Sequence, residues 1–410
     1  MALGEFLEPL HEPSVGPRPR IEDFQPPAEA LARLRARALV VGAAASLVSL
    51  VGFLLAPRAT FFRAYLVGWL YALGAAAGCL AILMLHHMSR GAWGLVVRRV
   101  LEAGARTLPA LALLFLPVVL GARHLYEWTR PEAAGDPLIQ AKQWYLNLPF
   151  FLARTAVVLG LWTLIALTLS RLSRRQDETA DPSLFRRMQN VAGPGIVLYV
   201  LTATVGSVDW LMSLDPRWFS SIFGLHFVIS QGLTALAFMV VVEVWLARNS
   251  TMAVVLQPRH FHDHGKLILA FVMVWAYFSY SQFLIIWSGN LPEEVTFYHR
   301  RLHGGWQWLS LAVVLFHFVM PFVLLLSRDL KRSASLLTGT ALLVLGARYL
   351  DLYWQAAPSL EPEGLALHWL DLTVPVAVGG LWLAAFFHEL AKRPLLPVND
   401  PWIVEAIEHE

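Results

Sequence analysis

Apolar residues in this chain run in long blocks, and polar residues gather in short clusters between them. A helix needs about 20 apolar residues to cross a bilayer core of about 30 Å. Blocks of that length are too long for strands and too uniformly apolar for surface helices. The pattern predicts ten spans, approximately Ala38–Pro57, Phe62–Met88, Thr107–Leu125, Pro149–Leu172 and Val191–Met212 in the first half. Ser220–Ala247, Gly265–Trp287, Gly304–Ser327, Ala334–Trp354 and Trp369–Leu390 complete the set. The expected fold class is therefore an all-α polytopic membrane protein. Residues 1–37 form a polar, proline-rich amino-terminal tail, 38–390 the ten-helix domain and 391–410 a carboxy-terminal tail. No apolar core follows a short basic start, so the amino-terminal tail does not read as a cleaved secretory signal.

A short repeat refines this picture. The fourth span ends LTLSRLSRR and the eighth LLLSRDLKR; the third ends in HLYEW and the seventh in IIWSGNLPEE. Spans two to five and six to nine would then be two four-helix bundles in parallel orientation, with spans one and ten flanking them. Between spans two and three, Gly91 to Ala105 is too short and too charged to cross. It reads as an interfacial amphipathic helix.

Composition agrees, with 57% hydrophobic and only 15% charged residues among 410, where a soluble domain carries roughly a quarter charged. The charges are also placed unevenly. The amino-terminal tail and alternate loops hold 22 of the 32 Lys and Arg, and the opposite loops hold Arg58, Arg63, Arg123, Arg130, Lys142, Arg217, Arg300 and Arg301. Basic loops stay in the cytoplasm, which predicts cytoplasmic termini on both sides of the domain. Tryptophans at the opposite edge (Trp128, Trp144, Trp218, Trp287, Trp306, Trp354 and Trp369) suggest an interfacial belt. A net charge of +3 gives no reason to expect nucleic acid. The single cysteine, Cys79, excludes an internal disulfide, a CxxCH haem attachment and a thiolate-held iron–sulfur cluster within the chain.

Ionisable groups at bilayer depth are costly unless paired or hydrated, so each is a functional candidate. Toward the outer edge lie Arg154, Asp209, His226, Arg348, Asp351 and Asp371, with Asp215 in the short outer turn. In the middle the seventh span carries Tyr277, Ser279, Tyr280, Ser281 and Gln282, and the eighth His317. Toward the inner edge lie Glu243, His262, Asp263, His264, His388 and Glu389, with His86 and His87 closing the second span. Two ionisable layers joined by a polar middle outline a proton path through Asp209, His226, Glu243, Asp263, His264, Tyr280, Ser281, Gln282, His317, Arg348, Asp351 and Asp371. The same groups would equally serve helix packing, or line the path of a secondary transporter. Aromatic residues beside Asp209 and His226, notably Trp210 and Phe223, offer a quinone cleft instead, unless these rings belong to the belt. Axial ligation of a b-type haem would need two histidines at equal depth, for which His226 with His303 and His87 with His264 are the candidates.

Three stretches are more specific. They are HHMSRGAWGLVVRRVLEA from His86, SVDWLMSLDPRWFSSIFG from Ser207, and HDHGKLILAFVMVWAYFSYSQFLIIWSGNLPEE from His262. With ten spans they resemble the NrfD/polysulfide-reductase-like membrane subunits, and within that group the ActF-type subunit of alternative complex III, a bacterial quinol:electron-acceptor oxidoreductase. The resemblance runs from the second span to the ninth. It implies two four-helix bundles plus two helices, and a place in the bacterial inner membrane within a respiratory or photosynthetic chain. It also implies partners: a multihaem cytochrome c, an iron–sulfur protein, an ActC-like quinol-binding membrane subunit, small membrane anchors and in some cases a terminal oxidase. Haem c and iron–sulfur clusters would belong to those partners. On this resemblance the chain contributes a proton path or a scaffold beside the quinol-oxidising subunit, with direct quinol or quinone binding as the alternative. As a purely structural anchor its buried charges would only pair, and as a stand-alone transporter it would act without partners.

Overall fold

The computed structural model describes residues 24–403, except 180, 362 and 398. Much of the expected amino-terminal tail and the end of the carboxy-terminal one lie outside the described residues. Among the described residues, ten helices are long and apolar enough to cross a membrane. They are α1 (Ala28–Leu55), α2 (Arg58–Ser89), α3 (Arg98–Leu120), α4 (Leu148–Thr179), α5 (Ser183–Leu214), α6 (Phe223–Asn249), α7 (Pro258–Gly289), α8 (Trp306–Leu326), α9 (Ala334–Leu360) and α10 (Leu370–Leu390). The chain is an all-α multi-pass membrane protein. For convenience, the end holding Arg90, Arg106, Lys331, Arg332 and Arg393 is the basic end, and the other the far end.

Helices α2 and α6 pack against each other at the centre. Helices α3, α4 and α5 complete one bundle around α2, and α7, α8 and α9 complete the second around α6. The central pair comes close because Gly78 faces the backbone of Gln231, where any side chain would overlap the Gln231 carbonyl. In a bilayer no hydrophobic effect drives helices together, so small residues that permit close packing do much of that work. The same device attaches α1, which leaves most of its surface to lipid and packs mainly on α10. A Cβ on Gly380 would lie 2.7 Å from the Gly42 Cα, so the two backbones touch there.

Three local departures from the sequence reading matter for the site. First, α3 begins at Arg98, so this charged turn extends the span inward instead of lying in the interface. Arg98, Arg99 and Glu102 are all buried, because Glu102 pairs with both arginines and Asp400 and Asp177 supply the remaining negative charge. Beyond them α3 advances in short pieces, Leu108–Leu113 and Leu116–Leu120, each restarted by a proline in its first turn that cannot donate to the preceding turn. Second, α8 contains a π-helical stretch, Val314–Val319, centred on His317. Third, the repeated motif folds in two ways. Helix α4 runs straight through Ser170 to Arg175, whereas α8 stops at Leu326 and Ser327 caps the short helix Arg328–Arg332. The expected tryptophan belt is also only partial. Trp144, Trp287 and Trp369 are exposed, but Trp128, Trp218 and Trp306 are buried between helices.

Candidate functional site

At the far end the expected outer path separates into three couples, because each carboxylate has an arginine on its own or a neighbouring helix. Arg154 of α4 grips Asp209 of α5 with two hydrogen bonds of 2.8 Å, while Tyr145 and Phe150 cover the guanidinium. Arg63 of α2 donates to both oxygens of Asp371 at the start of α10 and also pairs with Glu361. Tyr353 and the His368 backbone N–H donate to the same Asp371 carboxylate. In both couples each carboxylate oxygen accepts a hydrogen bond, which helps repay the desolvation of a buried ion pair. Arg348 and Asp351 form the third couple, three residues apart on α9. Among the described residues Asp209, Asp371 and Asp351 therefore each have their own arginine and share no partner, so the couples are separate ion pairs and not one connected network.

The third couple is different because its carboxylate faces a cavity. This cavity, of about 630 Å³, lies between α6, α7, α8, α9 and the helix Pro292–Arg301. Its walls are aromatic and aliphatic, with Phe223, Trp275, Phe283, Phe297, Tyr298, Val313, Phe318 and Trp354 among them. Met273, Tyr277 and Tyr280 line it from the outer surface of α7 and are 44%, 65% and 63% exposed, so the cavity opens sideways between α7 and α8 toward lipid. Besides the exposed Tyr277 and Tyr280 at its mouth, its polar side chains are His226, Ser279, Gln282, Tyr298, Arg301, Ser310, Asp351 and Gln355. His226 Nε2 lies 3.0 Å from Ser279 Oγ, and the Gln282 amide donates to the Tyr298 hydroxyl at 3.3 Å. Burial pushes the Tyr298 hydroxyl up to about 12, so it remains a donor at neutral pH. Among the described residues the Asp351 Oδ1 finds no hydrogen bond of normal geometry, although the Gln355 amide lies beside this carboxylate. Buried polar groups are normally satisfied, so such unused capacity marks a place where a polar ligand can be received. Behind this wall His317 sits 3.9 Å from Asp351 and packs edge-on against Trp275, with ring centroids 4.2 Å apart. The π-helical turn is what carries His317 inward, an irregularity often found at functional positions.

Two proposed quinone contacts, Phe223 and His226, line this cavity; the other two, Asp209 and Trp210, do not. Trp210 is fully buried against Trp69, Trp162 and Phe227, and its indole N–H donates to Thr155.

At the basic end Glu243 of α6 and His264 of α7 meet at 2.9 Å, both fully buried. The second ring nitrogen, Nε2, lies 2.8 Å from the Trp93 carbonyl. Both nitrogens of His264 are thus engaged, and His303 is an exposed residue beside the His299 carbonyl, so neither expected haem pair forms. Asp263 points away, half exposed and paired with Lys266 on its own helix. A second basic-end cluster centres on Glu102, which three arginines, Arg98, Arg99 and Arg393, approach within 3.2 Å or less. Arg98 reaches Asp400, Arg99 reaches Asp177, and Ser173 donates to Glu102 at 2.6 Å. Among the described residues, no group of three His, Cys, Asp or Glu side chains is placed to hold a metal ion.

The expected polar middle layer sits farther out than the sequence suggests. Helix α7 runs from Pro258, so Ser279, Tyr280, Ser281 and Gln282 fall in its far half. Gln282 accepts from Ser220, just ahead of α6, and Ser281 does not line the cavity. Toward the basic end, residues 235–242 of α6 are all apolar. At 1.5 Å per residue that is a rise of about 12 Å without a polar side chain on that helix. The structure thus brings His226, Tyr280, Gln282 and Asp351 to one cavity, with His317 and Arg348 behind Asp351, and leaves Glu243 with His264 as a separate pair. Sequence reasoning missed Arg301, Tyr298 and Gln355 as cavity residues, and Arg63 as the partner of Asp371. Arg63 carried a signal, an arginine inside an apolar block; Arg301 lies in a polar loop sequence and carried none.

Comparison with protein-family models gives no match, and comparison with curated proteins gives none either.

Proposed function

We propose that this chain binds a quinone-class lipid in the far-end cavity, as a membrane subunit of a quinol-oxidising complex of the alternative complex III kind. The observation that carries this reading is the cavity itself: apolar aromatic walls, a lateral mouth toward lipid, and a small group of hydrogen-bonding side chains at its inner wall. A quinol has the matching form, an apolar tail that travels in the bilayer and a ring with two oxygens. Tyr298, Gln282 and Ser279 offer donors and acceptors for those oxygens. When quinol is oxidised it loses two electrons and two protons. His226 and Asp351 are the groups that could take the protons, with Arg348 holding Asp351 in place. The electrons would leave to a redox centre of a partner, an iron–sulfur protein or a multihaem cytochrome c. With the basic end in the cytoplasm, as the loop charges favour, the protons would be released at the opposite face of a bacterial inner membrane.

Photo-crosslinking of the natively extracted protein with an azidoquinone tests this. Label on the peptide containing Met273 to Phe283, or on Phe297 to Leu302, is the expected result. Label confined to the exposed Trp144 or Trp369 would mean that the rings act only as an interfacial belt. Haem staining and partner identification in the same extract test membership of a complex, and recovery of the chain alone would remove that part.

The proton-relay reading keeps one supporting observation, the Glu243–His264 pair. Its test is proton release per electron in the assembled complex carrying Glu243→Gln. An unchanged yield would reduce that pair to a helix–helix contact.

A further inference from the structure

Arg301 differs from the other buried arginines. Arg63, Arg98, Arg99, Arg154 and Arg348 each face a carboxylate. Arg301 is 1% exposed and donates only to backbone carbonyls, of Phe297 at 2.7 Å, Gln355 at 2.8 Å and Trp354 at 3.1 Å. Its guanidinium lies over the Phe297 ring, 3.4 Å from the centroid, and 4.9 Å from that of Trp354. The acid that acts on it, Asp215, is already committed to Arg300 at 2.6 Å, and the acid lining the same cavity, Asp351, to Arg348. Among the described residues no carboxylate reaches Arg301 itself.

Three carbonyl dipoles orient the guanidinium but do not cancel its charge, and a buried cation without a counter-ion is expensive. Burial pushes Arg301 down only to about 9, so it is cationic at neutral pH. A guanidinium has five N–H donors in a planar fork suited to an anionic oxygen, and three bonds leave some of that capacity unused. Arg301 lines the cavity, so the missing anion has a place to come from.

We propose that the cavity takes its amphiphile with an anionic headgroup oxygen, held by Arg301. This rests on the reading of the cavity as a quinone-class site and deepens it: the preferred ligand state is the deprotonated one. Selectivity then comes from charge, since a neutral ring of the same shape leaves Arg301 uncompensated.

The test uses the full-length protein in lipid nanodiscs and tryptophan quenching as the binding signal. The probes are an alkylated hydroxynaphthoquinone, ionised at neutral pH, and its methyl ether, which is not. Wild type should bind the ionised probe at least about tenfold more tightly, as one charge-assisted hydrogen bond allows. Arg301→Gln should erase that preference, read as the ratio of the two affinities. Arg301→Lys, which keeps the charge, should retain part of the preference. Equal binding of both probes by wild type, or an unaltered preference in Arg301→Gln, overturns the anion assignment and leaves the quinone-class reading standing. Binding of neither probe overturns both. Myristate is the third probe: tighter binding of this carboxylate than of the naphthoquinone keeps the anion and overturns the quinone class.

Discussion

His264 donates from Nε2 to the Trp93 carbonyl, which can only accept, so its Nδ1 shares a single proton with Glu243. The pair is either a neutral imidazole with a carboxylic acid or an imidazolium with a carboxylate. Glu243→Gln preserves the contact, because the amide can donate to Nδ1. Its thermal stability in detergent should match wild type, whereas Glu243→Ala should lose about 1–3 kcal/mol by leaving Nδ1 buried and unpaired. Equal losses in the two variants would show that the shared proton is not what holds the pair.

Asp209 is expected to act through Arg154 alone. Asp209→Asn leaves a buried guanidinium without its counter-ion, and breaking a buried pair typically costs about 3–5 kcal/mol. The double variant Asp209→Asn with Arg154→Gln should recover part of that loss in the same unfolding assay. Additive losses would place Asp209 in a role beyond its partner.

At the far-end surface Arg217 donates to Glu127 at 2.7 and 2.9 Å and to Asp136 at 2.7 Å. The hydrogen bond from Arg217 holds the Glu127 carboxyl below its ordinary 4.5. A depressed carboxylate contributes stability above its unfolded pKa and loses it as pH falls through the folded value. Unfolding midpoints should therefore drop on acidification below about 4.5, and Glu127→Gln should flatten that slope. The effect is small, since the pair is partly exposed, and added salt should reduce it further.

Gly42 and Gly380 give a direct test of how the first helix is held. Gly380→Val should weaken the α1–α10 contact by about 1–3 kcal/mol, as overpacking does, and open α1 to protease from its loops. Gly379→Ala, at the neighbouring position where a Cβ meets open space, should change neither.

The ten crossings were legible because bilayer thickness imposes a length that no soluble element needs. The start of α3 was not. Arg98, Arg99 and Glu102 look solvated in a one-dimensional reading, and only their pairing with one another and with Asp177 and Asp400 lets them be buried. Single candidates such as Asp351, His226 and Glu243 could be recognised by depth alone. Their grouping could not, because it depends on which helices become neighbours: Arg63 and Asp371 are 308 residues apart. Arg301 was invisible for the opposite reason. Its sequence surroundings are polar, and the burial comes entirely from the fold around it.

The Glu102 cluster also constrains how the chain can be made. Arg98 and Glu102 leave the ribosome about 300 residues ahead of Arg393 and Asp400. During that interval the first bundle carries Arg98 and Arg99 against Glu102 and, once α4 has emerged, Asp177, but without the acid that completes Arg98. Early insertion therefore produces an intermediate in which two arginines already balance Glu102 and Asp177, but Arg98 still lacks its Asp400 partner at the basic end. Final closure is a late step of biogenesis, and membrane quality control could distinguish chains that stop short of Asp400 by that open site.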